Sequence, residues 1–227
     1  MIGREQNKTA AVIEQHIIEA AASFAQERMS RLHSSHGWDH VERVVRLADI
    51  ITRTEKHADP FIVKTAAILH DIARIDELEK NGALCHARHG SRIAYQFLVE
   101  SGLDTERAGR IRHCILAHRF RNDHAPESIE AKILYDADKL DSIGAVGIGR
   151  AFLFSGEVGA KLHNPDVDVR LTRAYSNEDT AYREYLVKLQ FIRDKMLTRK
   201  GKRIAAERHR FMVRFFDHLQ REVGGAL

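Results

Sequence analysis

Apolar residues recur every three to four positions along most of the chain, and no segment alternates apolar and polar residues between hairpin turns. Such spacing puts the apolar side chains on one face of an α-helix. The first stripe comprises Ile13, Ile17, Ala21 and Phe24 within residues 7–31. The pattern therefore predicts an all-α fold, and its first helix is predicted to pack along one face.

Capping residues indicate where the next helices begin. One helix is predicted to start near Asp39. Asp59 predicts an N-cap and Pro60 a first helical position, so a new helix should begin there and run through AAILHDIAR at residues 66–74. The polar, glycine-containing stretch at residues 75–85 is predicted to be a loop.

The helical pattern continues through the middle of the chain. It resumes at residues 89–100, and Asp104 is predicted to cap the helix after that. Residues 128–154 are too apolar for an exposed helix, so we expect a central helix that breaks near its glycines. Because no repeat, low-complexity tract or linker interrupts these segments, we expect one domain over residues 1–227, with its core at about residues 39–154.

The C-terminal part is predicted to form a helical pair. The sequence SNED at residues 176–179 resembles a capping box and predicts a helix that runs to about Lys200. Gly201 is predicted to separate this helix from a last one. The pair, at about residues 176–223, is expected to pack on the core.

The amino-acid composition indicates which classes of protein the chain does and does not resemble. The chain has 36 basic and 32 acidic residues and a pI of about 9.1, a mild bias that does not favour a nucleic-acid-coating arm. It has two cysteines, no secretory leader and no apolar stretch near the roughly 18 residues that span a bilayer. We therefore expect a soluble, cytoplasmic protein without a membrane partner. The unusual feature is its 14 histidines.

Two ionisable residues, His70 and Asp71, interrupt the apolar run at residues 66–74. Burying them without partners would cost several kcal/mol, so they must be hydrogen-bonded, ion-paired or bound to a metal. The helix from His40 to the turn at Lys56 spans about 24 Å, and the helix back to His70 about 17 Å. An antiparallel hairpin would therefore bring His40 and His70 to the same end.

The sequence DADKLD, at residues 136–141, adds carboxylates to the central helix. Asp136, Asp138 and Asp141 are too many for Lys139 to neutralise, and a divalent metal would resolve the conflict. The spacing permits either Asp136 or Asp138 as a ligand. Two imidazoles, Asp71 and one further carboxylate suit Mn, Fe, Co, Ni, Mg or Zn better than a thiolate-seeking ion.

The order His, His-Asp, Asp, within DHVERVVRLA, AAILHDIAR and DADKLDSIGA, resembles the HD-domain superfamily of metal-dependent phosphohydrolases. More closely, the chain resembles small bacterial members, some of which are nucleoside triphosphate pyrophosphohydrolases. The resemblance covers about residues 39–154 and extends weakly to the C-terminus. It implies one divalent metal held by His40, His70, Asp71 and Asp138, with Asp71 also orienting the attacking water.

The resemblance also suggests roles for other histidines. His89 and His118 resemble the additional histidines of HD proteins, which line the site or bind a second metal, and we expect them to act in catalysis. The alternative is a pair of helix-end histidines in solvent. We favour that alternative for His86 and His113.

Two basic residues are candidates for substrate binding. In parts of the superfamily the lysine that matches Lys139 contacts substrate phosphates, whereas the alternative is an ion pair with Asp136 or Asp141. Arg150 lies three helical turns further along, and would be about 16 Å away on an unbroken helix.

The expected function is hydrolysis of a phosphate ester or anhydride in a small molecule. A nucleotide substrate follows from the resemblance alone. One alternative is a phosphodiesterase acting on cyclic nucleotides or oligonucleotides, for which the basic residues within 183–214 are the only support. We favour a solvated face for this segment over nucleic-acid binding. The other alternative is a module that senses a nucleotide without turnover.

Overall fold

The structure is a computed structural model that describes residues 2–32, 37–80, 82–119, 124–164, 168–174 and 176–226. No residue in these ranges lies in a β-strand, which confirms the all-α prediction. The α-helices are α1 Ile2–Met29, α2 Trp38–Thr52, α3 Pro60–Leu69, α4 Arg74–Glu79, α5 His86–Glu100, α6 Thr105–Ala117, α7 Ile129–Asp141, α8 Gly144–Glu157, α9 Ala181–Val187 and α10 Arg199–Val223. None of these helices is both long and apolar enough to cross a membrane.

The predicted caps of two helices are confirmed. The Asp59 carboxylate accepts hydrogen bonds from the backbone N–H groups of Phe61 and Ile62, at 3.0 and 3.4 Å, with Pro60 at the first position of α3. These bonds satisfy donors that a helix start otherwise leaves free. Asp104 caps α6 in the same way, because its Oδ1 accepts from the backbone N–H of Arg107 at 2.9 Å.

The buried face of α1 agrees only in part with the apolar stripe that was predicted from the sequence. Ile17 and Ala21 are buried as expected, together with Ala25 and Met29. Ile13, by contrast, is 50% exposed, so the buried face begins one turn later than the apolar stripe does.

The prediction of a loop at residues 75–85 was wrong over its first half. This stretch contains most of α4, which begins at Arg74. Arg28 of α1 holds this part of the chain, because its guanidinium donates to the Ile72 carbonyl at 3.0 Å and to Asp76 Oδ2 at 2.8 Å. Contacts between distant segments thus order a polar stretch that has little helical signal of its own.

The central apolar segment breaks near its glycines, as predicted. The helix α7 ends at Asp141 and α8 begins at Gly144, whose φ of 76° lies in the left-handed region that favours glycine. The carbonyl of Ser142 leaves no room at Gly147, where an added Cβ would lie 2.2 Å from that oxygen. These glycines therefore serve a tight helix-to-helix turn.

The predicted boundaries of the C-terminal pair were wrong. Thr180, and not the SNED sequence, caps α9, since its Oγ1 accepts from the backbone N–H of Arg183 at 3.1 Å. A 3-10 helix, Leu189–Lys195, follows α9. Thr198 caps α10 by accepting from the backbone N–H of Gly201 at 2.9 Å, so Gly201 lies in the first turn of that helix and does not separate two helices.

The chain divides into two compact units, Met1–Ala137 and Asp138–Leu227. In the first unit α3 packs against α1, α2 and α6, and α5 packs against α6. In the second unit α8 packs against α9 and α10. The expectation of a single domain with the C-terminal pair packed on the core stays a prediction.

Candidate metal centre

The two histidines of the predicted helix hairpin meet. His40 lies in the first turn of α2 and His70 directly follows α3; both are buried, and their Nε2 atoms are 3.2 Å apart. Nδ1 of His70 donates to the Ala67 carbonyl at 2.8 Å, which leaves a lone pair on Nε2 of the neutral ring. The prediction that an antiparallel hairpin joins these residues is thus confirmed.

Asp71 lies between two pairs of histidines. Its Oδ2 is 3.8 Å from Nε2 of His40 and 3.8 Å from Nε2 of His70. Its Oδ1 is 3.1 Å from Nε2 of His86 and 3.7 Å from Nε2 of His118. One buried carboxylate therefore faces an imidazole pair with each of its oxygens.

The second pair is built by α5 and α6. His86 begins α5 and His118 directly follows α6, and their Nε2 atoms are 3.2 Å apart. His118 Nδ1 donates to the Ile115 carbonyl at 2.6 Å, which repeats the arrangement at His70. His70 and His118 are thus each oriented by the backbone carbonyl of the residue three positions earlier.

Glu77 orients His86 from the side opposite Asp71. Its Oε2 lies 2.6 Å from Nδ1 of His86 and 2.9 Å from Nη1 of Arg74, and its Oε1 accepts from Nη1 of Arg119 at 2.5 Å. Because an ionised carboxylate can only accept, His86 must carry its proton on Nδ1. In the neutral ring, Nε2 of His86 then has a lone pair, and this nitrogen lies on the side of Asp71.

Both carboxyl groups of the cluster are held ionised. Burial raises the pKa of Asp71, but Arg74 and the neighbouring histidines more than offset this effect, so its pKa lies well below the usual range. Burial likewise raises the pKa of Glu77, and the hydrogen bond and charge of His86, followed by those of Arg119, lower it far below the usual range. The cluster thus combines two ionised carboxylates with imidazole nitrogens that face them.

This donor set fits a divalent cation. Lone pairs that face each other at 3.2 Å, as on His86 and His118, repel unless a proton or a cation lies between them. The separation suits two ligands of one ion, which lie about 2.9–3.4 Å apart for bonds of about 2.0–2.1 Å. Asp71, His86 and His118 offer ligand atoms within 4.8 Å of one another. Moreover, Oδ1 of Asp71 is buried and accepts no hydrogen bond from a described residue.

The structure brings together His40, His70, Asp71 and His118 of the predicted site residues, but it does not bring His89 into the cluster. The His89 side chain is 40% exposed, and its Nε2 lies 3.9 Å from Asp76 Oδ2. The catalytic role of His89 stays a prediction.

The sequence interpretation missed His86, which lies three residues before His89. The signal that could have identified His86 is its position at the start of a helix, which resembles the position of His40 in the first turn of α2. Glu77 was missed because it falls in the stretch that was predicted to be a loop.

The remaining predicted residues lie on α7 and α8. Asp138 is half-buried and accepts from Nζ of Lys139 at 2.6 Å, whereas Asp136 is fully buried. Arg150 donates to Asp141 Oδ2 at 2.8 Å across the turn between the two helices. The ligand role of Asp138 and the phosphate contacts of Lys139 and Arg150 stay predictions.

Known proteins resemble this chain over most of its length. The family model of the HD domain matches residues 37–143. YpgQ of Bacillus subtilis is 36% identical over 211 residues, which cover 91% of this chain and 94% of YpgQ. The crystal structure of Bacillus subtilis YpgQ in complex with ADP has a TM-score of 0.72 at 33% identity, covering 92% of this chain and 96% of that one. An HD-superfamily hydrolase from Bacillus thuringiensis has a TM-score of 0.72 at 28% identity, covering 93% and 98%.

Proposed function

The chain belongs to the HD-domain family, and on that basis we propose that it is a metal-dependent phosphohydrolase that cleaves a phosphate ester or anhydride of a nucleotide. The observation that carries the proposal is the convergence of four imidazole Nε2 atoms on the two oxygens of Asp71. A buried carboxylate with this environment is costly unless a cation shares it.

We assign the metal ligands by combining this geometry with the family resemblance. His40, His70 and Asp71 would hold one divalent ion, with Asp138 as the fourth ligand that the resemblance implies. His86 and His118, on the other oxygen of Asp71, would hold a second ion. A divalent ion in such a site lowers the pKa of water and polarises a phosphoryl oxygen.

The chain's own residues supply orientation and charge. Hydrogen bonds from Nδ1 fix the rings of His70, His86 and His118, so the Nε2 lone pairs need no reorganisation on binding. Lys139, which is half-buried, is proposed to move its ammonium from Asp138 to a substrate phosphate. Its charge would then balance the charge that develops on the transferred group.

A nucleotide is proposed as the substrate because the relative YpgQ was crystallised with ADP. The test is to incubate metal-loaded protein with nucleoside triphosphates, nucleoside monophosphates and cyclic dinucleotides, with Mn, Mg, Fe, Co, Ni and Zn each supplied in turn. Release of pyrophosphate or of orthophosphate would support the proposal and assign the bond cleaved. A linear dinucleotide would indicate a phosphodiesterase, and binding without turnover would indicate a sensor.

Lys139→Met tests the phosphate contact. The variant keeps the proposed ligands and a similar apolar stem, so its metal content should match that of the wild type. A charge-assisted contact contributes about 1.5–3 kcal/mol, so kcat/KM should fall about 10- to 150-fold. Steady-state kinetics with a parallel measurement of unfolding would check this. An unchanged kcat/KM together with lower stability would identify Lys139 as a structural counter-ion of Asp138.

Glu77→Gln tests the positioning of His86. A glutamine amide no longer fixes the Nδ1 proton by charge, so the affinity for metal at His86 and His118 should fall about 10- to 100-fold. Competition with a chelator would measure this affinity. Glu79→Gln is the matched control, because Glu79 lies on the same helix and pairs only with Arg31 among the described residues, at 3.0 Å. Equal metal affinity in the two variants would contradict the positioning role.

A further inference from the structure

A cavity of about 200 Å³ lies between α5 and α6, apart from the histidine cluster. Its walls are Arg88, Ser91 and Arg92 of α5, Arg112 and Leu116 of α6, and His124. Three of these six side chains are guanidinium groups, and none of the six is acidic. The cavity is therefore a concentrated positive site.

The cavity opens on a different side of α5 from the cluster. Arg88 follows His86 by two residues, which is about 200° around a helix. In agreement with that rotation, His86 is 1% exposed whereas Arg88 and Arg92 are exposed. A ligand in the cavity would thus face solvent and would not share the space next to Asp71.

No carboxylate of the described residues forms an ion pair with an arginine of the cavity. Within the described ranges, Arg92 and Arg112 form no ion pair, and Arg112 instead lies 5.8 Å above the ring centroid of Tyr95. Among the described residues, the polar partner of the Arg88 guanidinium is His124 Nε2, at 3.5 Å. Arginines without carboxylate partners, converging on one concave surface, create a positive potential that attracts anions.

Two arginines of α2 and Arg53, which directly follows this helix, show the contrast. Arg43, Arg46 and Arg53 pair with acidic residues one turn earlier, at 2.6, 3.2 and 3.3 Å. Those guanidinium groups already have carboxylate acceptors, whereas no carboxylate in the described part of the chain accepts from the arginines of the cavity.

We propose that this cavity binds the phosphate chain of a small polyphosphate-bearing molecule. Planar guanidinium groups bind phosphate oxygens in pairs, so three of them suit a ligand with more than one phosphate. The cavity is smaller than the roughly 300–1,000 Å³ of sites that enclose a whole drug-sized ligand, so a phosphate chain fits it better than a base and a sugar do. The lining of the cavity contains no Phe, Tyr or Trp ring on which a base could stack, which favours a phosphate chain over a single-stranded nucleic acid.

Isothermal titration with tripolyphosphate tests the proposal on the full chain in EDTA, with circular dichroism to verify the fold. The double variant Arg92→Gln/Arg112→Gln should lose about tenfold or more in affinity. Arg46→Gln/Arg53→Gln is the matched control, since it removes the same charge from paired arginines and should leave the affinity unchanged. An equal loss in both variants, or no loss in either, would overturn the proposal.

A parallel titration with ATP identifies the source of the phosphate chain. An ATP affinity that falls with that of tripolyphosphate would assign the cavity to nucleotide-borne chains, and an ATP affinity that does not fall would assign it to free ones. If Arg92→Gln/Arg112→Gln lowered the affinity for a single-stranded oligonucleotide but not the affinity for tripolyphosphate or ATP, the proposal would be wrong.

Chemical labelling of the metal-loaded protein gives a second measurement that is specific to individual residues. Phenylglyoxal modifies accessible guanidinium groups, and mass spectrometry locates the adducts. Tripolyphosphate should protect Arg92 and Arg112 but not Arg46, and lack of protection at the cavity would contradict the proposal. Asp71→Asn should keep the same protection, so failure of the phosphohydrolase proposal would remain distinguishable from failure of this one.

Discussion

The Asp71→Asn chain is expected to lose its bound metal and to lose turnover on the order of 10³-fold while remaining folded. Asparagine keeps the shape of the side chain but not the negative charge, which both imidazole pairs face. A metal contributes several kcal/mol to such catalysis, and each ~1.4 kcal/mol is a factor of ten in rate. Elemental analysis of protein purified without chelator, followed by the nucleotide panel, would measure both losses.

Asp49→Asn is the matched control for this experiment. Asp49 is an exposed residue of α2 that pairs with Arg53 at 3.3 Å, outside the histidine cluster. This variant should keep its metal and its activity. Full metal occupancy in Asp71→Asn would remove the central proposal, whatever the control showed.

Asp138→Asn should lower metal affinity by about 100-fold or more, because loss of a direct ligand costs more than the ~10- to 100-fold of an outer hydrogen-bond partner. Asp136→Asn should keep its metal affinity. Asp136 is fully buried, so the free energy of unfolding must be measured for both variants to separate ligand loss from instability. The reverse ranking of metal affinities would move the carboxylate ligand two residues towards the N-terminus.

Features with local determinants were predictable from the sequence. The caps at Asp59 and Asp104 depend on a side chain and on backbone N–H groups two or three residues away, so a short motif suffices. The meeting of His40 and His70 was also predictable, because two helix lengths and one turn place them at the same end. The resemblance to the HD family depended on motifs of the same kind.

Features that depend on distant partners were not predictable. The helix that carries Glu77 is held by Arg28 of α1, and Glu77 itself is held by Arg119, 42 residues away. No short motif reports such contacts. The sequence pattern placed the start of α5 at His89, so His86 fell outside the predicted helix, whereas α5 begins at His86 and buries it.

Competition between neighbouring caps explains the error in the C-terminal segment. SNED and Thr180 are adjacent candidates, and Thr180 gains a further bond because its hydroxyl donates to Asn164 Oδ1 at 2.7 Å. Arg183 is buried and pairs with Asp179 at 2.8 Å, which fixes the start of α9 from both sides. A short stretch of sequence does not show which of the two caps is used, because the contact that favours Thr180 is made with Asn164, which lies 16 residues earlier.

The helices α5 and α6 have similar lengths, and these lengths set the distance between the histidine cluster and the connection of the two helices. They contain 15 and 13 residues, or about 22 and 20 Å, and they hold His86 and His118 together at one end. Their connection around Gly102, at a φ of 86° and with open space where a Cβ would point, lies at the other end. Removing one residue from either helix would shift its histidine by about 1.5 Å and turn it by about 100°. We therefore expect this connection to accept an inserted peptide or a fused reporter without disturbing the cluster.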